Sequence, residues 1–391
     1  MSAATLTFSR SSTRQRISLD PVVLSCVLAL LLIGLVMVTS ASMPLPVEPF
    51  LHLRKQLMFA GAGLVAAMLA FSVRTDLWER WSFVLLLIAF ALLILVLVPG
   101  IGHAANGARR WIRLGFFNFQ VSELARLFVI VHLCSYAVRH REALRTSLTG
   151  VLKPLGLLAL VGGLLLAEPD FGAATVMFAT GFVILFVAGM PWRYVIGGLG
   201  LAGGLLAAAA LTSAYRVRRL TTFLDPWADP FDSGFQLTQS LIAIGRGEWF
   251  GVGLGASVQK LSYLPEPHTD FVFAVLAEEL GLVGVLLVLA LLMILIWRAG
   301  MISRLAARAE RMFQAYLAAG FAIWLGLQAF INIGVNMGVL PTKGLSLPLM
   351  SYGGSNLLIT LFWLGIVLRI QHECAAAGRL AVPKPVARQS E

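Results

Sequence analysis

Residues 22–42 read VVLSCVLALLLIGLVMVTSAS, a run of 21 residues without a single charge. A bilayer core takes about 20 apolar residues per helix, so this run has the length and composition of a membrane span. The rest of the chain is written the same way. Of its 391 residues 59% are hydrophobic and 13% are charged, and the mean hydropathy is +0.86. Soluble globular chains carry about 25% charged residues. That balance excludes a soluble single domain and a disordered chain.

Outward from the first run, predominantly apolar stretches recur at 52–73, 82–99, 119–138, 154–168, 172–190, 194–213, 271–297, 313–335 and 352–370. The expectation is an all-α polytopic membrane protein of about ten transmembrane helices. Its parts are a cytoplasmic N-terminal segment (1–20), a membrane domain (21–372) and a cytoplasmic tail (373–391). Pro154 and Pro169 bracket the short fifth run. An even number of spans puts both termini on one side, and the positive-inside rule chooses it. With the termini inside, the inner segments hold 18 of the 30 Lys+Arg and 7 of the 19 Asp+Glu, so the whole net charge of +11 lies on that face. The pI of about 10.2 therefore reports topology and attraction to anionic lipid, with no nucleic-acid partner implied. Cys26 and Cys134 fall inside spans and Cys374 in the tail, which excludes a disulfide framework.

Between the seventh and eighth spans lies an outer loop, 214–270, far longer than its neighbours. Structureless loops of that length are uncommon and usually functional. Within it Gln236–Gly245 is apolar enough for an interfacial or re-entrant helix, and Gly251, Gly253 and Gly255 follow as punctuation. These glycines lack the Lys-Ser/Thr of a phosphate-binding loop. Four polar clusters meet the membrane on this outer side: 106–126, 168–172, 264–270 and 336–356, the last holding Lys343 and Ser351. Ionisable residues at membrane depth are expensive, so a functional site is their default reading. Arg109, Arg110, Arg126 and Lys343 come from separate segments and are expected to converge with Asp170, Glu266 and Asp270. A cationic pocket with carboxylates at the membrane surface suits an anionic, lipid-linked substrate. No zinc spacing and no Gly-x-Ser-x-Gly elbow is present.

Plainer readings stand beside these. Glu123 and Arg126, three apart on one helix face, make an ion pair. Asp170 and Asp270 each stand before a span, where a carboxylate caps a helix N-terminus; on residue type alone capping is the heavier reading for both. Glu278 and Glu279 lie about 12 Å into the eighth run, so either they face the bundle interior or that span starts later than drawn.

The stretch Leu264-Pro-Glu-Pro-His-Thr-Asp-Phe-Val-Phe-Ala-Val-Leu-Ala-Glu-Glu-Leu-Gly281 resembles the SEDS family (shape, elongation, division and sporulation proteins). Asn106-Gly-Ala-Arg-Arg-Trp-Ile, Gln120-Val-Ser-Glu-Leu, Glu168-Pro-Asp-Phe-Gly and Pro348-Leu-Met-Ser-Tyr-Gly-Gly-Ser fit the same pattern, and the likeness runs to about Glu373. Gly338-Val-Leu-Pro-Thr-Lys-Gly-Leu-Ser-Leu-Pro and Ala256-Ser-Val-Gln-Lys-Leu-Ser262 are similar to the family's division member rather than its elongation member. Val121 departs from the usual proline and Arg126 from a frequent lysine.

The resemblance implies a glycosyltransferase of the bacterial inner membrane. Such enzymes polymerise lipid II, an undecaprenyl-pyrophosphate-linked disaccharide-pentapeptide, into glycan at the septum. It also implies a class B penicillin-binding transpeptidase (FtsI) as partner, with the divisome proteins FtsQ, FtsL, FtsB and FtsN as regulators. The family's essential aspartate matches Asp270, expected as the base that takes the proton from the attacking hydroxyl. Arg109, Arg110, Arg126 and above all Lys343 are the candidates to neutralise the leaving pyrophosphate. Glu123, Asp170 and Glu266 are open to orienting those cations or to holding a divalent ion, magnesium or manganese; no cofactor is fixed. Ser351 completes the set. A lipid II flippase and an elongation-type polymerase are the rival readings, the former requiring ionisable residues deep in several spans.

Overall fold

The computed structural model describes residues 19–44, 48, 50–105, 108–115, 117–211, 223–232, 234–261, 264–341 and 344–381. Among these are thirteen helices and three short strands. The expected spans appear as α1 (Pro21–Ser42), α2 (Leu51–Ser72), α4 (Ser82–Leu97), α5 (Val121–Arg139), α7 (Leu148–Ala167), α8 (Phe171–Val187), α9 (Trp192–Leu211), α11 (Val272–Arg308), α12 (Met312–Asn336) and α13 (Gly354–Ala381). Seven of these are long and apolar enough to cross a membrane, and α4 and α8 are shorter apolar helices. Short helices α3 (Thr75–Arg80) and α6 (Arg141–Thr146) turn the chain between spans. The helix α10 (Phe235–Arg246) lies in the long loop, where an apolar stretch was expected. Below, the end of the bundle that carries this loop is called the loop face, and the end nearest the chain termini the terminal face.

Local chemistry sets the helix ends. Asp20 caps α1, accepting from the backbone of Val22 at 3.0 Å, with Pro21 in the first turn where its missing N–H costs nothing. The fifth span starts six residues earlier than expected and takes Pro154 inside it. A proline there leaves the carbonyl four residues back without a donor. That carbonyl belongs to Gly150, and the Tyr136 hydroxyl donates to it at 2.8 Å. The start expected at 119 falls in β3, and α5 begins at Val121.

The eighth span is corrected as well. Residues Val272–Arg308 are two helical pieces broken at Gly281, whose φ of 63° and ψ of −162° leave the helical region. Inside a bilayer such a break must not leave backbone groups unpaired. The turn after α10 supplies partners: Glu248 and Trp249 carbonyls accept from Leu282 and Val283 (2.9 and 3.1 Å), and Val252 and Gly253 donate to Glu278 and Glu279 (2.9 and 3.2 Å). A Cβ on Gly281 would stand 2.4 Å from the Gly251 nitrogen, so glycine is required there. Both alternatives for Glu278 and Glu279 hold together: the membrane-crossing piece starts later, and both side chains are buried. Glu279 pairs with Lys260 at 2.8 Å and accepts from Ser40 at 2.7 Å. Glu278 accepts from the Val258 backbone at 3.1 Å. The two glutamates fasten the long loop to the bundle.

The strands had no counterpart in the sequence reading. β1 (Gly102–Ala105), β2 (Ala108–Leu114) and β3 (Phe117–Gln120) form an antiparallel sheet in that order on the loop face. Pairing β3 directly onto the start of α5 sets Arg110, Gln120 and Glu123 beside one another at the mouth of the bundle.

Candidate active site

A groove of about 1170 Å³ opens between the sheet, α2, the first turn of α5 and the 344–356 segment. Arg110, Glu123, Arg126, Asp170, Glu266 and Asp270 all line it, which is the convergence expected of them. Asp270 sits on its floor, half-buried. Burial pushes its carboxyl up to about 7, with the nearby Glu266 carboxylate adding to the rise and Arg110 opposing it. Capping does not explain it, because the N-cap of α11 is Phe271 and the first-turn Ala274 N–H goes to the Asn336 side chain, not to Asp270. Its backbone carbonyl is held by the Asn332 and Asn336 side-chain amides of α12, each at 3.0 Å. Across from it Gly344 approaches so closely that a Cβ there would lie 2.9 Å from Asp270 Oδ2.

Asp170, by contrast, does cap its helix, accepting from the Ala173 backbone at 3.1 Å. Its second oxygen accepts from Ser122 and Gln120, both at 3.3 Å. Arg110 stands 3.9 Å from this carboxylate and donates to the carbonyls of Glu168 and Pro169, so the sheet is clamped to the α7–α8 turn. Glu168 is fully buried, and neither carboxylate oxygen has a hydrogen-bond partner. Burial, then the neighbouring Asp170, raise it to about 8 against the pull of Arg110, which keeps it neutral at pH 7.

Glu123 and Arg126 form the ion pair read from their spacing, at 2.8 Å and buried on both sides. Glu123 also accepts from Asn356 at 3.2 Å. The Arg126 guanidinium lies 5.7 Å from the centroid of the Trp324 ring, so its charge is already neutralised by Glu123 and seated on an aromatic face. Glu266 is exposed in a left-handed turn (φ 52°) and accepts from the Thr269 hydroxyl at 3.2 Å.

Two expected members are not in the groove wall. Arg109 is exposed and outside the groove lining, while its neighbour Arg110 is part of it. Ser351 is buried, its hydroxyl accepting from the Leu347 backbone at 2.8 Å; it closes a turn. Lys343 lies outside the described residues, immediately before Gly344. Among the described residues no three His, Cys, Asp or Glu side chains are grouped as a metal cage. Glu123 and Asp170 are spent on partners, so Asp270 and Glu266 remain. Two carboxylates are too few for a cage of protein ligands alone; a magnesium-type ion there would need its remaining ligands from substrate or water.

The comparisons with known proteins follow this geometry. A family model described as "Cell cycle protein" and covering the FtsW, RodA and SpoVE proteins matches residues 21–376. The chain belongs to this family, the SEDS proteins. A probable peptidoglycan glycosyltransferase FtsW of Thioalkalivibrio sulfidiphilus is 54% identical over 361 residues, 91% of this chain and 90% of that one. The Coxiella burnetii protein of the same name is 51% identical, covering 91% and 97%. A solved peptidoglycan synthase complex, described as coordinating polymerization and crosslinking, superposes with a TM-score of 0.74 at 35% identity over 92% of this chain and 99% of that one. The rod-shape protein RodA of Thermus thermophilus gives 0.68 at 33% identity over 92% and 98%.

In this SEDS member the groove also holds cations that were not singled out from the sequence. Lys55 lines it from the first turn of α2, and Arg113 from β2. A lysine one turn inside a span reads as an ordinary snorkelling anchor, and without the sheet nothing separates Arg113 from its neighbours. The amides of Gln328, Asn332 and Asn336 were missed too, although three amides at four-residue spacing in an otherwise apolar span are a legible signal.

Proposed function

We propose that this chain is a division-type peptidoglycan glycosyltransferase that polymerises lipid II on the extracytoplasmic side of the bacterial inner membrane. The observation that carries the reading is Asp270: a half-buried carboxyl poised near 7, on the floor of a cation-lined groove at the loop face. A group with that affinity accepts a proton from an attacking sugar hydroxyl as the new C–O bond forms at the anomeric carbon, while the bond to the pyrophosphate oxygen breaks. The departing undecaprenyl pyrophosphate carries away the electron pair, and its growing charge meets Arg110, Arg113 and Lys55; Lys343 is a further candidate by sequence alone. Arg126, bound to Glu123, is a wall of this site rather than a free cation. The relatives' name, peptidoglycan glycosyltransferase FtsW, supports the same reaction. The charge asymmetry supports cytoplasmic termini and an active site on the periplasmic face. The match to a synthase complex that coordinates polymerization and crosslinking supports a transpeptidase partner. We assign that partner to a class B penicillin-binding protein (FtsI), with FtsQ, FtsL, FtsB and FtsN as divisome regulators and enrichment at the septum. A divalent ion, magnesium or manganese, would screen the pyrophosphate beside Glu266.

The test is polymerisation of purified lipid II by the reconstituted protein with its transpeptidase. Wild type is expected to make glycan polymer and Asp270→Asn none, with folding and partner binding intact. Equal polymer from both would remove Asp270 as the base. No polymer from either, together with lipid II crossing the bilayer, would replace the reading by a flippase.

A further inference from the structure

The polar face of α12 is spent in an unusual way. Gln328, Asn332 and Asn336 stand at four-residue intervals, one above the other on the helix, and all three are at most 1% exposed. None of them donates to a neighbouring side chain. The Gln328 amide donates to the Ser346 carbonyl at 3.0 Å. Asn332 donates to the carbonyls of both Asp270 and Leu345. Asn336 donates to the Asp270 carbonyl at 3.0 Å, and its own oxygen accepts from the Ala274 backbone at 3.3 Å, taking the place of the missing side-chain cap on α11. We infer that these amides are positioning residues: a ladder that fixes the Asp270 segment and the 344–346 segment at one separation across the floor of the groove. The inference rests on the reading of Asp270 as the base.

Three observations favour a positioning role over simple packing. First, one side chain, Asn332, grips both segments at once, so it sets the distance between them. Second, that distance leaves no slack, since Gly344 has no room for a Cβ beside the Asp270 carboxylate. Third, the ladder continues to the long loop: the Ser240 hydroxyl of α10 donates to the Asn336 carbonyl at 2.8 Å. A displacement of α10 is thereby passed to the residue that holds Asp270, which gives the extracytoplasmic loop a mechanical hold on the base. Buried amides cost free energy unless satisfied; here the N–H donors go to backbone carbonyls of the site itself, while the Asn332 oxygen is left unpaired.

The experiment uses the full chain with its transpeptidase, and compares wild type, Asp270→Asn, Asn332→Leu, Asn336→Leu and Ser240→Ala. Turnover is referred to molecules that bind lipid II, so unfolded protein does not count. Leucine keeps the branched heavy-atom shape and removes the donors. A base displaced by about 1 Å loses on the order of 100-fold in rate, so each leucine variant is expected to lose roughly that in kcat with KM within about twofold. Ser240→Ala, which removes one neutral hydrogen bond outside the site, should lose about three- to tenfold. Backbone hydrogen exchange in Asn332→Leu should quicken at 268–274 and 344–347 and nowhere else. Unchanged exchange in those segments, or wild-type kcat per binding-competent molecule, overturns the ladder while leaving Asp270 in place. An active Asp270→Asn overturns the base and the ladder together.

Discussion

The raised affinity of Asp270 for its proton makes two measurements move together. A base must be ionised to act, and kcat/KM reports the free enzyme. With the carboxyl at about 7, roughly one molecule in ten is ionised at pH 6 and nearly all at pH 8. Polymerisation by the reconstituted complex, followed as kcat/KM for lipid II, should therefore fall about tenfold from pH 8 to pH 6. An unshifted carboxyl would be over about 99% ionised across that range and would give a flat profile. The same shift is a statement about stability. The ordinary value is 3.8, so between the two values the folded state keeps a proton that the unfolded state has released, and stability is lost as pH rises through about 7. Replacing the carboxyl by an amide removes that loss. Relative to wild type, Asp270→Asn should gain roughly 2–3 kcal/mol between pH 5 and pH 8, read as a Tm difference that widens with pH in nanodiscs. Glu168, at about 8, is the other group titrating nearby, and Glu168→Gln should leave the rate limb where it is. A flat rate profile, or a Tm difference that does not grow with pH, would refute the assignment of the raised carboxyl to Asp270.

Arg110 opposes the rise at Asp270, so Arg110→Gln should move the acidic limb of the same profile to higher pH; a limb that moves down would break the electrostatic account. Gly344→Ala places a Cβ 2.9 Å from Asp270 Oδ2, and pushing the carboxylate aside should lower kcat by about 10- to 100-fold with Tm close to wild type. Lys260→Met leaves the buried Glu279 without its cation, which should cost about 3–5 kcal/mol. Adding Glu279→Gln should restore part of the Tm, and no restoration would mean that the ion pair is not what holds the loop.

The spans were legible because a bilayer imposes one length and one composition on every helix that crosses it. Their ends were less so, since ends are decided by partners remote in sequence. Pro154 reads as a boundary until the Tyr136 hydroxyl is seen to satisfy Gly150. Gly281 reads as one glycine among many until Gly247 and Gly251 are found packed against residues 277–280. Within the site most of the charged residues announced themselves, because charge near a membrane is costly wherever it occurs; Lys55 and Arg113 did not. What the sequence could not show was direction. Arg110 lines the groove and its neighbour Arg109 does not, and the 347–351 turn turns Ser351 inward. The amide ladder escaped because amides carry no charge: Gln328 and Asn332 read as part of an apolar span and Asn336 as the start of the next polar cluster.

The arrangement of polar groups along the bundle also favours surface chemistry over transport. A passage for a polar head group needs ionisable or amide side chains at every depth. On α12 the groove's last amide is Gln328, and the next is Gln314, which belongs to a separate network at the terminal face with Thr75 and Glu373. The two lie about 21 Å apart along the helix. Between them α12 buries Leu317, Phe321, Trp324 and Leu325. Trp324 stacks on Trp363 at 5.2 Å, Phe321 meets the same ring edge-on at 5.6 Å, and Arg126 rests on the Trp324 ring as the deepest charge of the groove on α5. Below Arg126, α5 buries Leu127, Ile130, Leu133 and Cys134. The charge of the groove thus stops at Arg126, which rests on this aromatic layer, an arrangement that favours a reaction carried out on the loop face.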